Sequence, residues 1–411
     1  MLLNQYEKPS LAHYKILLFS WAGWIFDFYD LMLFSFLLGP IGEEMKLSKT
    51  SLSYVLGGAL AATALGGLLF GVLSDRFGRK KALQWTILTY SLGTLLCGFA
   101  WDFWSLMFFR LVTGLGVGGE WATGQTFVGE SFPPRVRGRY GAFMQTGAPL
   151  GIALASLVGG FLAPSYGWRF CFILSVLPAL LVVFIRKGMP ESDLWEKSRG
   201  AGKPTGMERQ GRVLSLLSAE HRGAFLLCFV LALFEMSAYW FTYIWLPGYL
   251  NQERHFSMAK SAEWILVVQT GGFLGYFLFG FFADHFGRRP AFSVYALFWA
   301  SGLWMVTWFW ELVAGTPVIV LTFMFLVGFG TGMFGGIGPL FSELFPTGIR
   351  NTAMGTAFNL ARGIQFFTPV LITWIGQFYG LGAGISLAAI FALLAGAWIW
   401  LFPETKGRTL E

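Results

Sequence analysis

The chain is poor in charge. Of its 411 residues only 29 are Lys or Arg and 22 are Asp or Glu, and this 12% stands against 55% hydrophobic residues. A soluble globular protein carries about a quarter charged residues, so this sequence has too little polar surface to coat a water-exposed body of its size. The scarcity excludes most soluble enzymes and predicts a protein whose solvent is mainly lipid.

Cysteine and histidine are scarce as well. Cys97, Cys171 and Cys228 are widely spaced and sit in apolar runs, which argues against a disulfide framework. The four histidines have no partners at ligand spacing, so we expect neither a metal nor another cofactor. The net charge of +7 fits basic loops of a membrane protein better than a nucleic-acid surface, and no nucleic-acid partner is expected.

Long apolar runs are what the sequence has in quantity. Runs of membrane-spanning length, which we number as spans 1 to 12, lie at about 15–39, 52–74, 82–100, 103–128, 140–163, 169–187, 223–247, 262–283, 291–310, 317–341, 353–378 and 382–402. No signal-peptide pattern precedes the first run, so we expect it to remain as an anchor. The fold class predicted is an all-α membrane protein with twelve transmembrane helices in two six-helix halves.

A charged stretch divides the chain. Residues 189–221 form the predicted solvated linker, between an N-terminal half at 1–188 and a C-terminal half at 222–411. Most of the 29 lysines and arginines fall in the termini, this linker and the even-numbered loops. By the positive-inside rule we therefore expect both termini and the linker to lie in the cytoplasm. The membrane expected to hold the protein is the inner membrane of the cell.

The two halves repeat one another. GVLSDRFGRKKA, which begins at Gly71, recurs as GFFADHFGRRPA at Gly280, and the PES at Pro190 returns as PET at Pro403. Glu, Pro and Arg at 130, 133 and 137 have the same spacing as those at 343, 346 and 350. A parallel duplication of six helices is a transporter architecture in which the halves rock about a midplane site.

The loop after span 2, with Gly71, Asp75, Arg76, Gly78 and Arg79, resembles the loop signature of the major facilitator superfamily, and its second copy follows span 8. The resemblance implies that superfamily's fold. Asp and Arg residues at such helix ends can form a charge cluster that locks the halves in one orientation; the alternative is that the basic residues only set topology. The predicted gating residues are Asp75, Arg76, Arg79, Asp284, Arg288, Glu130, Arg137, Glu343 and Arg350.

Four further segments narrow the resemblance. WIFDFYDLMLF, RLVTGLGVGGEWATGQ, the stretch from YGWRF to MPESDLW, and FNLARG resemble proton symporters of organic acids, especially the sialate and lactate branch. The C-terminal PETKGRTLE is instead similar to the tail of sugar porters. ALFEMSAYW in span 7 lacks the paired Gln motif of sugar porters, which argues against a hexose site.

Few ionisable residues lie inside the spans. Each costs free energy there unless it faces a cavity or a partner. Four are acids and two are bases, and we expect most of them near the midplane. The surplus of acid favours residues that load and release protons near neutral pH. The predicted proton-coupling residues are Asp27, Asp30, Glu235 and Glu120.

The spacing of these acids suggests how they pair. Asp27 and Asp30 share one helix face, so one could bind Arg110 while the other takes a proton; the alternative is a static ion pair with Arg110 that joins spans 1 and 4. Glu120 lies nearer the cytoplasm than Arg110 and is expected to support either helix packing or proton exit.

Arg362 is the first choice for gripping an organic anion, because a guanidinium fork matches a carboxylate and the neighbouring Asn359 shares its helix face. The alternative is that Arg362 neutralises Glu235. Tyr239 and Tyr243 follow Glu235 as a stripe that could close over a ligand or only pack. The predicted substrate-binding residues are Arg362, Asn359, Arg110, Tyr239, Tyr243, Gln145 and Gln269, the two glutamines also being candidates for interhelical contacts.

The function predicted is proton-coupled symport of a small organic anion by alternating access, with a monocarboxylate such as lactate or pyruvate first and sialic or aromatic acids next. The partners are the anion, protons and the lipid bilayer, and a monomer is expected to suffice. The alternatives are a sugar or polyol carrier, a drug or cation exporter, and a non-transporting ligand sensor. An enzyme is not expected, because no nucleophile, metal set or phosphate loop is present.

Overall fold

The computed structural model describes residues 9–200, 215–243, 246, 249–250, 253–256 and 258–407. Across these ranges the chain forms helices and contains no strand. The short turns between successive long helices make neighbours antiparallel, so the chain crosses the bundle repeatedly and builds two halves. The distribution of these helices along the chain confirms the predicted fold class.

The N-terminal half contains segments α1 to α6. Their bounds are α1 Leu11–Met45, α2 Lys49–Phe77, α3 Arg79–Cys97, α4 Phe103–Ser131, α5 Arg137–Gln145 with Gly147–Leu157, and α6 Ala163–Leu174 with Ala179–Gly188. α5 continues into the π-helical turn Val158–Leu162, and the chain turns back at Gly167.

The C-terminal half contains segments α7 to α12. Short 3-10 turns at Thr331–Met333, Gln365–Phe367 and Ile399–Leu401 interrupt or end three of them. The bounds are α7 Arg222–Tyr243, α8 Met258–Phe286, α9 Arg288–Val306, α10 Pro317–Gly330 with Phe334–Ser342, α11 Arg350–Ile364 with Thr368–Tyr379, and α12 Leu381–Trp398.

Each predicted span corresponds to one of these segments, although several helices extend beyond it. α1 runs four residues before the predicted start at 15 and six beyond the predicted end at 39, and it stops where Lys46 adopts a left-handed conformation with φ of 53°. Hydropathy marks the hydrocarbon core, whereas the helix ends at a backbone cap. Residues 244, 245 and 247 of span 7 lie outside the described part of the chain.

The predicted linker is partly helical. A short helix, Asp193–Gly200, follows α6, and the Trp195 ring nitrogen donates to the Asp75 carbonyl at 3.1 Å. Ser192 and Trp195 are buried against the bundle, whereas Asp193, Glu196 and Lys197 are exposed, so this stretch is only partly solvated. Residues 201–214, with Lys203, Glu208, Arg209 and Arg212, lie outside the described residues.

Within the described ranges, six helices are long and apolar enough to cross a membrane by length and composition: α1, α2, α7, α8, α10 and α12. The other segments fall short in helix length or in hydropathy. α5, α6 and α11 are each broken into two shorter helices, α3 and α9 begin at arginines, and α4 buries polar side chains. Large apolar side chains such as Leu18, Leu65, Phe184 and Leu297 are exposed on the outside of the bundle, as expected of an integral membrane protein.

We call the end of the bundle that carries the α2–α3 and α8–α9 loops the basic end. The halves meet mainly toward this end, where α2 and α4 contact α11 and α5 contacts α8 and α10. Gly67 lies against Asn359 and Gly71 against Thr352, so backbones of opposite halves approach closely. This packing closes the basic end and leaves a central cavity above it.

Candidate functional site

The central cavity lies between the halves, and the volume in it that is open to the centre of a water-sized sphere is about 30 Å³. It is lined by Trp24, Phe28, Gln145, Ala148, Met236, Tyr239, Trp240, Tyr276, Phe334, Phe358 and Arg362. Seven of these side chains are aromatic and one is charged, so the cavity offers aromatic rings, four of which carry a hydroxyl or N–H group, the amide of Gln145 and a single guanidinium.

Arg362 faces Asp27 across the boundary between the halves. The Arg362 Nη1 to Asp27 Oδ2 distance is 4.0 Å, and both side chains are almost fully buried. In the described part of the chain neither Asp27 oxygen has a hydrogen-bond partner, nor does Arg362 Nη1. The structure thus places Arg362 beside Asp27 and not in an ion pair with Glu235. Two opposite charges of the two halves lie close together here without direct hydrogen bonding.

Asp30 and Arg110 form a tighter pair within the N-terminal half. Arg110 Nη1 donates to Asp30 Oδ2 at 3.1 Å, and Thr94 donates to the other oxygen of Asp30. The Arg110 guanidinium also lies 4.5 Å from the centre of the Phe34 ring. These contacts join α1, α3 and α4. Arg110 is not among the residues that line the cavity.

The other two predicted acids are buried away from the cavity lining. Glu120 on α4 has one oxygen 2.9 Å from Thr86 Oγ1 on α3. Glu235 on α7 is fully buried, and over the described ranges neither of its carboxylate oxygens has a hydrogen-bond partner.

Asn359 does not join Arg362 at the cavity. Its Nδ2 donates to the Gly118 carbonyl of α4 at 2.7 Å and to the Gly355 carbonyl at 3.0 Å. The side chain therefore ties α11 to the opposite half. The predicted shared face is not realised at the cavity, because the close approach of α4 to α11 draws the amide to a backbone carbonyl.

The predicted glutamines have different surroundings. Gln145 lines the cavity, accepts from Trp121 Nε1 at 3.2 Å, and donates to the Phe334 carbonyl of the other half at 3.2 Å. Gln269 is half-buried on α8 and lies outside the lining.

Of the two tyrosines in the predicted stripe, Tyr239 lines the cavity. Tyr243 stacks on Tyr239 with ring centres 4.5 Å apart. Sequence reasoning missed Trp24, Phe28 and Phe358. Because 18% of the residues are aromatic, the sequence does not distinguish an aromatic residue that lines a cavity from one that packs between helices.

Polar clusters close the basic end. The N cluster, which we define as Asp75, Arg79, Glu130 and Arg350, is centred on a buried arginine. Arg79 donates to Asp75 at 2.8 Å, to Glu130 at 2.8 and 3.0 Å, and to the Thr347 carbonyl at 2.9 Å. Arg350 of the other half donates to Glu130 at 2.6 Å.

Asp75 also acts on the start of α11. It accepts from the Thr352 amide at 2.8 Å, from the Thr352 hydroxyl at 2.7 Å and from the Asn351 amide at 3.3 Å. Helix N-termini carry unsatisfied amides and favour a nearby carboxylate. A carboxylate of one half thus caps a helix of the other.

The C cluster, Asp284, Arg288, Glu343 and Arg137, has the same design. Arg288 donates to Asp284 at 2.8 Å and to Glu343 at 3.0 Å. Arg137, from the opposite half, lies 3.5 Å from Glu343. All eight members of the two clusters were predicted. Arg76, also predicted, is exposed and lies over the Phe77 ring at 4.6 Å, outside both clusters.

Two glutamates that were not predicted as site residues complete the clusters. Glu191 accepts from the amides of Arg79 and Lys80 at 2.9 and 3.1 Å. Glu404 accepts from those of Arg288 and Arg289 at 3.0 and 3.2 Å. We call these the glutamate caps. The repetition of PES as PET in the two halves was the sequence feature that could have identified these two glutamates.

Each glutamate cap is packed against a glycine with a backbone that other residues rarely adopt. Gly78 has φ of 105° and Gly287 has φ of 104°. An added Cβ would lie 2.3 Å from Glu191 Oε2 or 2.8 Å from Glu404 Oε2. The glycine of the repeated loop is thus required by both conformation and space.

No group of three or more potential metal ligands occurs in the ranges that the structure describes. The chemistry available at the cavity is therefore that of one guanidinium, one opposing carboxylate and aromatic walls. Such a site can hold a small ligand and exchange a proton, with charge contributed by both halves.

Comparisons with known proteins agree with this architecture. The chain matches the family model described as Major Facilitator Superfamily over residues 21–269 and that described as Sugar (and other) transporter over residues 201–411. It is 32% identical over 415 residues to the probable 4-methylmuconolactone transporter of Cupriavidus pinatubonensis, covering 99% of this chain and 94% of that protein. It is 29% identical to the sialic acid transporter NanX of Escherichia coli, covering 95% of each.

The fold is similar to that of the proton:xylose symporter XylE of E. coli in its complex with 6-bromo-6-deoxy-D-glucose, with a TM-score of 0.81, 22% identity and 98% coverage of each chain. The chain belongs to the major facilitator superfamily. Its relatives are transporters and not enzymes, which confirms both the predicted family and the prediction that this chain is no enzyme.

Proposed function

We propose that this transporter carries a small organic anion together with a proton by alternating access. The observation that carries the proposal is the Asp27–Arg362 pair, which spans the two halves beside the cavity at 4.0 Å. A guanidinium can bind a carboxylate through two parallel hydrogen bonds, and Arg362 is the charged group of the cavity lining.

Anion binding at Arg362 has a consequence for Asp27. When a substrate carboxylate takes the guanidinium, Asp27 becomes a buried negative charge that has lost its nearest cation. A buried, unpaired charge is costly, and protonation of Asp27 removes it. The anion and the proton therefore stabilise each other's binding, which is the requirement for symport. The same pairing keeps the empty carrier neutral at this position.

The aromatic lining supports a particular kind of anion. Phe28, Tyr239, Trp240 and Phe358 line the cavity, and the Nδ2 of Asn359, which could have donated to a substrate, donates to backbone carbonyls. We therefore favour a planar, unsaturated or aromatic monocarboxylate over lactate and pyruvate. The relatives named for 4-methylmuconolactone and sialic acid support an organic-acid substrate.

The basic loops and both described ends of the chain lie at the basic end, which the positive-inside rule assigns to the cytoplasm. Closure there by the N and C clusters makes the cavity a site loaded from the opposite side. Inner-membrane location and function as a monomer are parts of the same proposal. The gating role of the two clusters is likewise proposed from their position between the halves.

One observation favours a second candidate, a sugar carrier: residues 201–411 match the sugar transporter model. A neutral ligand, however, makes no ionic use of the Arg362 guanidinium, which would stay beside Asp27. The substrate panel below separates the two functions.

The experiment is uptake into proteoliposomes with and without an inward proton gradient, for benzoate, lactate, pyruvate, sialic acid and xylose. We expect gradient-stimulated uptake of an acid, benzoate above lactate, and none of xylose. Arg362→Lys should reduce uptake at least tenfold, whereas Arg169→Lys, at an exposed pair with Glu44, should not. Gradient-independent uptake, xylose uptake, proton-driven export, or binding without flux would each contradict the proposal.

A further inference from the structure

We propose that the cavity binds its ligand more tightly while the basic end is closed, because two lining residues are held in position by the opposite half. The residues concerned are Trp121, Gln145, Phe334 and Phe358, which we call the quartet. The inference rests on the proposed function, since it needs a ligand in the cavity. It goes beyond that function by giving Trp121, which does not line the cavity, a positioning role.

The quartet occupies equivalent positions in the two halves. Trp121 and Phe334 each lie nine residues before the glutamate of a polar cluster. Gln145 and Phe358 each lie eight residues after the arginine that reaches into the cluster of the opposite half. At 1.5 Å per residue these separations are about 12 to 14 Å along the helices. The quartet is therefore a layer between the polar clusters and the centre of the cavity.

Phe358 is supported by a ring of the opposite half. It lines the cavity from α11, and Trp121 of α4 stacks on it with ring centres 3.6 Å apart and ring planes inclined by 12°. Trp121 is fully buried and is not among the lining residues, so it lies behind Phe358. A ring that is held in this way offers the ligand a preorganised apolar surface, and aromatic rings pack favourably in pairs.

Gln145 is supported by a hydrogen bond to the opposite half. It lines the cavity from α5, and its Nε2 donates to the Phe334 carbonyl of α10 at 3.2 Å. Its Oε1 accepts from Trp121 Nε1 at 3.2 Å, which sets the orientation of the amide. Nε2 carries two hydrogens, and Phe334 takes one of them. The other remains for an acceptor on the ligand.

The support is thus crossed between the halves. The equivalent helices α5 and α11 carry the supported residues, and α4 and α10 of the opposite half carry the residues that support them. Contacts of 3.6 and 3.2 Å between the halves cannot persist when the halves separate at the basic end. Opening therefore leaves the Phe358 ring and the Gln145 amide free to move, and a ligand must then pay for ordering them.

The consequence for transport is a difference in affinity between two states. A ligand that enters from the side opposite the basic end meets the preorganised cavity. Once the basic end opens, the same ligand is bound less tightly and leaves more readily. By thermodynamic linkage, a ligand that prefers the closed state must favour closure by the same factor. The affinity and the closure can be measured separately.

Binding of benzoate to the purified protein tests the positioning role. Trp121→Leu removes the ring behind Phe358 without changing a lining residue, so the dissociation constant should rise about tenfold. Trp121→Phe restores a ring that can stack and should recover most of the affinity. The control Trp168→Leu, at a buried tryptophan of α6 outside the lining, should bind as the wild type does. Unchanged affinity in Trp121→Leu, or equal losses in the leucine and phenylalanine variants, would overturn the proposal.

Labelling of the otherwise unaltered quartet tests the linkage. Ala122 is buried against Gly355 of the other half and is not among the lining residues, so a ligand in the cavity does not cover it. Saturating benzoate should slow the reaction of a cysteine at position 122 with a membrane-impermeant maleimide in inside-out vesicles about tenfold. Faster or unchanged labelling would refute the inference alone. Absence of benzoate binding to the wild type would refute the proposed function and this inference with it.

Discussion

The N and C clusters are two versions of one arrangement, and they differ in how firmly they join the halves. In both, a buried arginine bridges an aspartate and a glutamate at 2.8 to 3.0 Å. The arginine of the opposite half approaches to 2.6 Å in the N cluster and to 3.5 Å in the C cluster. Asp75 also caps α11 across the interface with bonds at 2.8 and 2.7 Å, whereas Asp284 accepts from the Arg139 amide at 3.0 Å.

The difference indicates that the duplicated sequence motif determines the ion pairs within each half. The contacts between the halves differ from one cluster to the other and do not follow from the motif. Arg79 and Arg288 make nearly the same bonds because each lies four residues after its aspartate on the same kind of loop. Arg350 and Arg137 come from the other half, so their distances depend on how the halves dock. We infer that the N cluster contributes more to closure of the basic end.

Glu130→Gln should give the largest effect. It removes the carboxylate that Arg79 and Arg350 share, so that Asp75 is the remaining acid of the cluster for two buried cations. Removal of one partner of a buried pair typically costs about 3–5 kcal/mol. The cost applies to the closed state, so the basic end should open more often. The measurement is the labelling rate of a cysteine at Ala122, a buried position on α4, by a membrane-impermeant maleimide in inside-out vesicles. We expect an increase of about 100-fold.

Glu343→Gln is the matched variant of the C cluster, and its increase should be nearer tenfold. Equal increases for the two glutamines, or a larger one for Glu343→Gln, would contradict the inferred asymmetry.

Asp75→Asn should have the next largest effect. Charge-assisted hydrogen bonds contribute about 1.5–3 kcal/mol, and those to Thr352 exist only while the halves are closed. The labelling rate at position 122 should rise about tenfold. Asp284→Asn serves as the control with a smaller rise, and a Thr352→Val variant should reproduce part of the Asp75→Asn effect. No response to Thr352→Val would count against capping across the interface.

Arg350→Lys should raise the labelling rate less, because the positive charge is kept and only the planar, multidentate guanidinium is lost. Arg350 Nε donates to the Ser342 and Phe345 carbonyls while Nη1 reaches Glu130, a geometry that an ammonium cannot reproduce. We expect a rise in labelling of a few fold, and less for Arg137→Lys. A smaller rise in labelling for Arg350→Lys than for Arg137→Lys would contradict the stronger role inferred for the N cluster.

The glutamate caps should give the smallest effect and, unlike the clusters, an equal one. Their bonds to the starts of α3 and α9 match within 0.1 Å, at 2.9 and 3.1 Å against 3.0 and 3.2 Å. Loss of a helix cap costs about 1 kcal/mol. Glu191→Gln and Glu404→Gln should lower the thermal midpoint in detergent by similar small amounts, with little change in labelling at 122. Unequal shifts would contradict the equivalence that the matching bond lengths indicate.

The fold could be predicted from the sequence because length and hydropathy mark membrane helices and because the motif at Gly71 recurs at Gly280. The members of the clusters followed from the same repetition. Their pairing did not: Glu130 binds Arg350 of the other half, and sequence spacing cannot say how two halves dock. Asn359 and Arg362 share a helix face in projection, but the amide binds α4, since contacts between helices and not periodicity set its partner.

The glutamate caps bear on how such a protein could have arisen. Each sits just after the sixth helix of its half and closes back onto the third, so each half completes its own end with its own residues. This is expected if the ancestral six-helix unit was already a finished structure that assembled in pairs before duplication joined two copies in one gene. After fusion, only the docking surfaces needed to diverge, and the unequal clusters are where that divergence is visible.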